Sequence, residues 1–211
     1  TIDLTASLGD GDRFAHVLER AGVARGEAAR VSAMIGSATD VARIKPGTVL
    51  RITLGRRATR TQARPLDSLD FRARIDLALS LKRTPDGLIL HQLPIAVSHL
   101  PLRIEGMVGD SLYRSARAAG APPRAVESYI RAIASKISLS RDIAGDARFD
   151  MSDEQTRAQT GEVEYGKLLY AGITRGNRKT QLLEWTIGGR TEWFEASGVG
   201  QKRPGMASPV D

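Results

Sequence analysis

With 211 residues, 41% hydrophobic and 26% charged, the chain has the composition of a globular protein of one or two domains and not of a disordered segment. No apolar run approaches the ~18 residues that a membrane span requires, and the lack of cysteine excludes disulfides, thiolate metal sites and thiol nucleophiles. The net charge of +7 invites an anionic partner, yet Arg and Lys are scattered among Asp and Glu and no basic stripe is interleaved with aromatics, which argues against nucleic acid.

Residues 1–55 read as strand, helix, helix, strand. Ile2, Leu4, Ala6 and Leu8 alternate; Gly9-Asp10-Gly11-Asp12 then supplies a turn and an acidic N-cap for a helix carrying Phe14, Val17, Leu18 and Ala21. Gly22 closes that helix, and Ala28, Val31, Met34 and Ile35 mark the apolar face of a second. Lys45-Pro46-Gly47 turns the chain into a strand from Val49 to Leu54. Residues 56–65, basic and polar and containing Arg56, Arg57 and Arg60, read as a linker ending in Arg64-Pro65.

A second domain is expected over 66–200. Leu69, Phe71, Ala73, Ile75, Leu77, Leu79 and Leu81 occupy every second position, the signature of one half-buried antiparallel strand, and Thr84-Pro85-Asp86-Gly87 should fold Leu88 onward back as its hairpin partner. Leu100, Leu102 and Ile104 form a further strand. From Ser111 a helix runs to Gly120, Pro122-Pro123 opens another carrying Val126, Ile130, Ile133 and Ile137, and a turn at Ala144-Gly145 feeds a strand ending near Met151. Sliding the sequence on itself by 98 positions sets Gly22 on Gly120, Gly47 on Gly145 and residues 13–21 on 111–119, which suggests one unit used twice. After Met151 the polar stretch Ser152–Glu162 reads as a loop. Lys167–Thr174, Gln181–Ile187 and Thr191–Glu195 then form a meander whose last turn is Gly188-Gly189, and residues 201–211 read as a departing linker.

Catalytic chemistry is hard to assemble from these residues. His16, His91 and His99 fall into no H-E-x-x-H or H-x-H pattern, and no P-loop, dinucleotide fingerprint or G-x-S-x-G elbow occurs. Asp142 with Asp146, and Asp150 with Asp153, are explained by turns and caps. Trp185 and Trp193, in facing strands around the Gly-Gly turn, could stack on a sugar or serve as a packed cross-strand pair. No catalytic and no metal-binding residue is assigned.

Two resemblances add to this reading. The βααβ order, the Gly-Asp turn at Asp10 and the string Ile44-Lys45-Pro46-Gly47-Thr48-Val49-Leu50 resemble a LysM-like module. Farther on, Gly106-Met-Val-Gly-Asp-Ser-Leu-Tyr113, Ala118-Ala-Gly-Ala121, Asp142-Ile-Ala-Gly-Asp146, Gly166-Lys-Leu-Leu-Tyr-Ala171, Trp193-Phe-Glu-Ala-Ser-Gly198 and Pro209-Val-Asp211 resemble, in order and spacing, the region that precedes the catalytic domain in bacterial zinc murein endopeptidases of the lysostaphin/LytM type. The resemblance implies an α+β protein: a small βααβ LysM-like domain at 1–55, a linker at 56–65, a regulatory domain at 66–200 with an antiparallel sheet packed on a helix pair, and a linker at 201–211 toward a catalytic domain. That family holds zinc with H-x-x-x-D and H-x-H motifs, expected beyond Asp211, so no cofactor is expected in this chain itself. The implied role is to cover the zinc groove and target the enzyme to peptidoglycan in the periplasm or cell envelope, with peptidoglycan and the catalytic domain, in cis or trans, as partners. The alternative is a stand-alone adaptor that binds peptidoglycan or a protein. Asp10, Lys45, Trp185 and Trp193 are the candidate binding residues.

Overall fold

The computed structural model describes residues 1–196, and the expected linker at 201–211 with its Pro209-Val210-Asp211 string lies outside them. Strands β1 (Ile2–Ser7) and β2 (Val49–Leu54) enclose helices α1 (Phe14–Arg20) and α2 (Arg25–Gly36) and a 3-10 turn at Val41–Arg43. They pair antiparallel, Ile2 opposite Leu54 and Ser7 opposite Val49. Three further strands, β3 (Leu66–Arg74), β4 (Leu77–Thr84) and β5 (Gly87–Pro94), complete a sheet of order β1-β2-β3-β4-β5.

This corrects two expectations. The alternation from Leu69 to Leu81 belongs to two strands, joined at Ile75-Asp76. Phe71 faces Leu79 and Leu69 faces Leu81, so the odd-numbered residues of both strands share the buried face and the period of two passes through the hairpin unchanged. Arg74 and Asp76 clasp the turn, Nε to Oδ1 at 2.9 Å. Nor is 56–65 a boundary between domains: Leu54 pairs with Leu66, and Leu66, Leu69, Leu79 and Leu81 share one core with Leu18, Ile35, Leu50 and Ile52. The first compact unit is Thr1–Ser98 with Arg157–Val163, and the second is His99–Thr156 with the chain from Glu164.

Farther along the chain β7 (Leu102–Met107) and β8 (Arg148–Ala158) enclose α3 (Leu112–Ala118), α4 (Pro123–Ala134) and the short α5 (Leu139–Asp142); β6 (Val97–His99), a strand the sequence pattern did not predict, precedes them. The sheet continues through β9 (Val163–Arg175), β10 (Arg178–Ile187) and β11 (Arg190–Glu195), in the order β11-β10-β9-β8-β6 with β7 also paired to β8. Residues 152–158 are thus strand rather than loop. Their polar side chains alternate on a strand whose other face carries Phe149, Met151 and Asp153 inward. The core of this unit sets Tyr129 edge-on to Phe149, ring centroids 6.5 Å apart, and the Tyr129 hydroxyl donates to the Gly172 carbonyl at 2.6 Å.

The 98-residue repeat is visible in the backbone. Gly22 (φ +104°) and Gly120 (φ +98°) end α1 and α3 in the left-handed conformation that only glycine adopts freely. The same six-to-one bond closes each, Val23 N–H to Leu18 O and Ala121 N–H to Ala116 O, both 3.0 Å. Helices α2 and α4 each have 12 residues and end at Ser37 and Ser135, whose hydroxyls both donate to a carbonyl three residues back at 2.6 Å. Both copies therefore have the order strand, two helices, short helical turn, strand.

Candidate functional site

In each copy the loop leaving the first strand is tied to the turn that enters the second. Leu8 N–H donates to Thr48 O (2.9 Å) and Gly47 N–H to Leu8 O (2.7 Å); in the second copy Val108 N–H donates to Ala147 O (2.8 Å) and Gly109 N–H to Gly145 O (3.0 Å). Asp10 and Lys45, which are exposed, thus stand in two loops bonded through Leu8. Leu8-Gly9-Asp10 matches Val108-Gly109-Asp110, and Lys45 falls on Ile143 at the 98-residue offset.

The two copies differ in how this end is finished. In the first, Asp12 is not the N-cap, a position held by Arg13 without a side-chain bond. The Asp12 carboxylate instead accepts from Gly9 N–H (2.9 Å) and from both ends of the Arg20 guanidinium (2.9 and 2.6 Å). These bonds, the Arg20 pair foremost, hold its carboxyl at about 2. In the second copy the loop is two residues shorter and Ser111 caps α3, its Oγ accepting from Arg114 N–H. There a cleft of about 430 Å³ opens among residues Val108–Tyr113, Ile130 of α4, Leu139, and the turn Ile143–Gly145. Its lining is mixed: the apolar side chains of Val108, Leu112, Ile130, Leu139 and Ile143 stand beside Asp110, Ser111, Tyr113 and the backbone of Gly109 and Gly145. Gly145 is tightly placed there: a Cβ would stand 3.0 Å from the Gly109 carbonyl oxygen, so the backbone would have to give by a few tenths of an ångström. Of the cleft's residues the sequence reading had none as site candidates, although Asp10 matches Asp110 once the two-residue-shorter second loop is allowed for.

Trp185 and Trp193 do not form a pair. Trp185 lies opposite Glu192 and Trp193 opposite Glu184, so the two indoles project from opposite faces of the sheet. Trp193 packs against the core of its unit, whereas Trp185, 62% exposed, continues an outward row with Leu183 and Ile187. Asp150 and Asp153, taken for turn residues, sit in β8. Asp150 accepts both guanidinium ends of Arg103, at 2.9 and 2.7 Å. Asp153 is 1% exposed, neither of its oxygens meets a donor, and burial pushes its carboxyl up to about 6.

Comparison with solved structures places this fold among known ones. The chain is similar to a zinc-containing peptidase from Vibrio cholerae, with a TM-score of 0.61 at 17% identity over 92% of this chain and 57% of that one. It is also similar to Helicobacter pylori Csd3 in two crystal forms, with TM-scores of 0.55 and 0.53 at 11% identity over 92% of this chain and 50% of theirs. The fold is shared. The chain spans about half the length of these structures. No protein-family model and no curated protein matches the sequence.

The zinc of the first neighbour invites a test of the residues present. Among the described residues no three His, Asp or Glu side chains come together as a metal site would need, and His99 Nδ1 is engaged instead with the Thr156 hydroxyl at 3.0 Å. These residues do not fit a zinc centre. No described helix is long and apolar enough to cross a membrane.

Proposed function

We propose that this chain is the non-catalytic region of a LytM-type zinc murein endopeptidase, which covers the zinc groove of the catalytic domain and holds the enzyme at peptidoglycan in the cell envelope. The observation that carries the reading is the fold shared with a zinc-containing peptidase over 92% of this chain but only 57% of that one. The order and spacing of the strings from Gly106 to Ala171 point to the same family. Zinc belongs, on this reading, to a domain outside these residues. Each copy of the repeat is a LysM-like unit, with Asp10 and Lys45 at the binding end of the first and the cleft beside Tyr113 at that of the second. Trp185 offers an exposed aromatic contact on the sheet.

Inhibition by cover requires a contact of modest area that a substrate or partner can displace, since a ligand shifts an equilibrium only by its difference in affinity for the two states. The test adds the purified chain to an isolated LytM-type catalytic domain and follows release of soluble fragments from sacculi. Roughly tenfold slowing is expected at saturating chain, equivalent to about 1.4 kcal/mol of preference for the covered state. An unchanged rate together with no detectable binding refutes the inhibitory role. The cleft favours a second reading, an adaptor that binds the wall without regulating an enzyme; it predicts sedimentation with sacculi and no effect on hydrolysis.

A further inference from the structure

The loop between β2 and β3 is long for what it connects. Neighbouring antiparallel strands are commonly joined by two to five residues, yet here residues 55–65 intervene between Leu54 and Leu66, which pair directly. Structureless connections of this kind are disproportionately functional. Their base is fixed: Gly55 N–H donates to Pro65 O at 2.8 Å, the Arg64 guanidinium donates to Gly55 O at 2.9 Å, and Arg64 bridges to Val23. Arg57 donates to Arg60 O at 3.1 Å, which folds the tip.

What the loop presents is positive charge without compensation. It holds Arg56, Arg57, Arg60 and Arg64 and no Asp or Glu, so four of the net +7 charges sit in eleven residues and the other two hundred carry +3. The acids nearest its base are engaged elsewhere, Glu27 with the Arg83 guanidinium and Leu66 N–H, and Asp67 3.9 Å from Arg83. Arg56, Arg57 and Arg60 are exposed, and among the described residues no carboxylate pairs with them. The loop has no aromatic side chain for a base to stack on and nothing larger than Ala, Pro or Thr to insert among lipid tails. Guanidinium forks suit carboxylates in bidentate geometry.

We propose that residues Arg56–Arg60 form an electrostatic docking loop for a carboxylate-bearing polymer, the stem peptides of peptidoglycan. The inference rests on the wall-binding part of the proposed function and assigns its electrostatic component to one surface. The experiment is sedimentation of the full chain with purified sacculi across a salt series, with the variant R56Q/R57Q/R60Q and a control, R25Q/R30Q/R43Q, that removes the same charge from helix α2 and the 3-10 turn. Arg64 is left in place because it holds the loop base. The loop variant should bind roughly tenfold more weakly at low salt and lose most of its salt dependence, and the control should stay within about twofold of the parent. Amidation of the sacculus carboxylates should weaken the parent chain to the level of the loop variant. Equal losses in both variants would mean diffuse charge and overturn the proposal. So would unaltered binding of the loop variant, which leaves the wall-binding reading standing, or equal binding to DNA or to phosphate-headgroup vesicles through the same arginines. If the parent chain itself fails to sediment, both readings fall. Unchanged urea midpoints of the variants show that the fold is intact.

Discussion

Asp153 is buried with neither carboxylate oxygen meeting a donor among the described residues, and its replacement by Asn yields a prediction whose sign and size follow from position. Burial raises its carboxyl from the ordinary value near 4 to about 6 in the folded chain, so the folded state holds a proton that the unfolded state has released. The stability lent by the neutral form is full below about pH 4 and is lost as pH rises through about 6. Two pH units at about 1.4 kcal/mol each give an upper bound near 3 kcal/mol. D153N should therefore gain on the parent by up to about that amount between pH 4 and pH 7, whatever fixed cost the buried amide carries. The difference between the two proteins matters here because Asp12 and Asp76, whose carboxyls are held low by Arg20 and Arg74, move the absolute curves in acid for both. Urea unfolding read by tryptophan fluorescence is the assay, since both tryptophans lie in the unit that contains Asp153. A difference curve that is flat from pH 4 to pH 8 would refute the argument.

Tyr129→Phe should cost roughly 1–2 kcal/mol, because it leaves the buried Gly172 carbonyl without its donor while keeping the ring against Phe149, and the same fluorescence-monitored unfolding measures it. Gly22→Ala and Gly120→Ala should each destabilise their own unit by about 1 kcal/mol, with similar losses by calorimetry, because both positions have φ near +100°. Tyr113→Ala with Leu139→Ala should weaken sacculus sedimentation several-fold with little change in melting temperature, because both residues line the cleft and are already exposed.

Much of the fold was legible because local rules sufficed. Gly22 and Gly120 announced helix ends, Pro122-Pro123 announced a helix start, and Pro85-Asp86-Gly87 announced a hairpin; the backbone uses all of them in those roles. The failures share a cause. Alternation reports which face a residue takes and not which strand it is in, so the turn at Ile75-Asp76 was hidden, and the basic, polar composition of 56–65 suits a loop between paired strands as well as a linker between domains. Ser152–Ala158 looked like a loop because a strand paired along its length needs few apolar residues once Phe149 and Met151 have set its inward face. For the site, the sequence located one end of a βααβ unit through Asp10 and Lys45, while the cleft at the other copy depends on Ile130, Leu139 and Ile143, apolar residues from three elements that no spacing brings together.

The repeat also explains why the two copies need not do the same work. Their helix lengths and glycine C-terminal caps are alike. What differs is the loop that leaves the first strand. Two extra residues in the first loop allow Asp12 to turn back on Gly9 and reach Arg20, spending its polar groups on the protein itself. In the shorter second loop Ser111 caps α3, and Asp110, Ser111 and Tyr113 line a cleft together with Ile130, Leu139 and Ile143. On the proposed wall-binding reading, a first loop closed on itself and an open cleft in the second copy make Tyr113 and Leu139 more informative positions to mutate than Asp10 and Lys45.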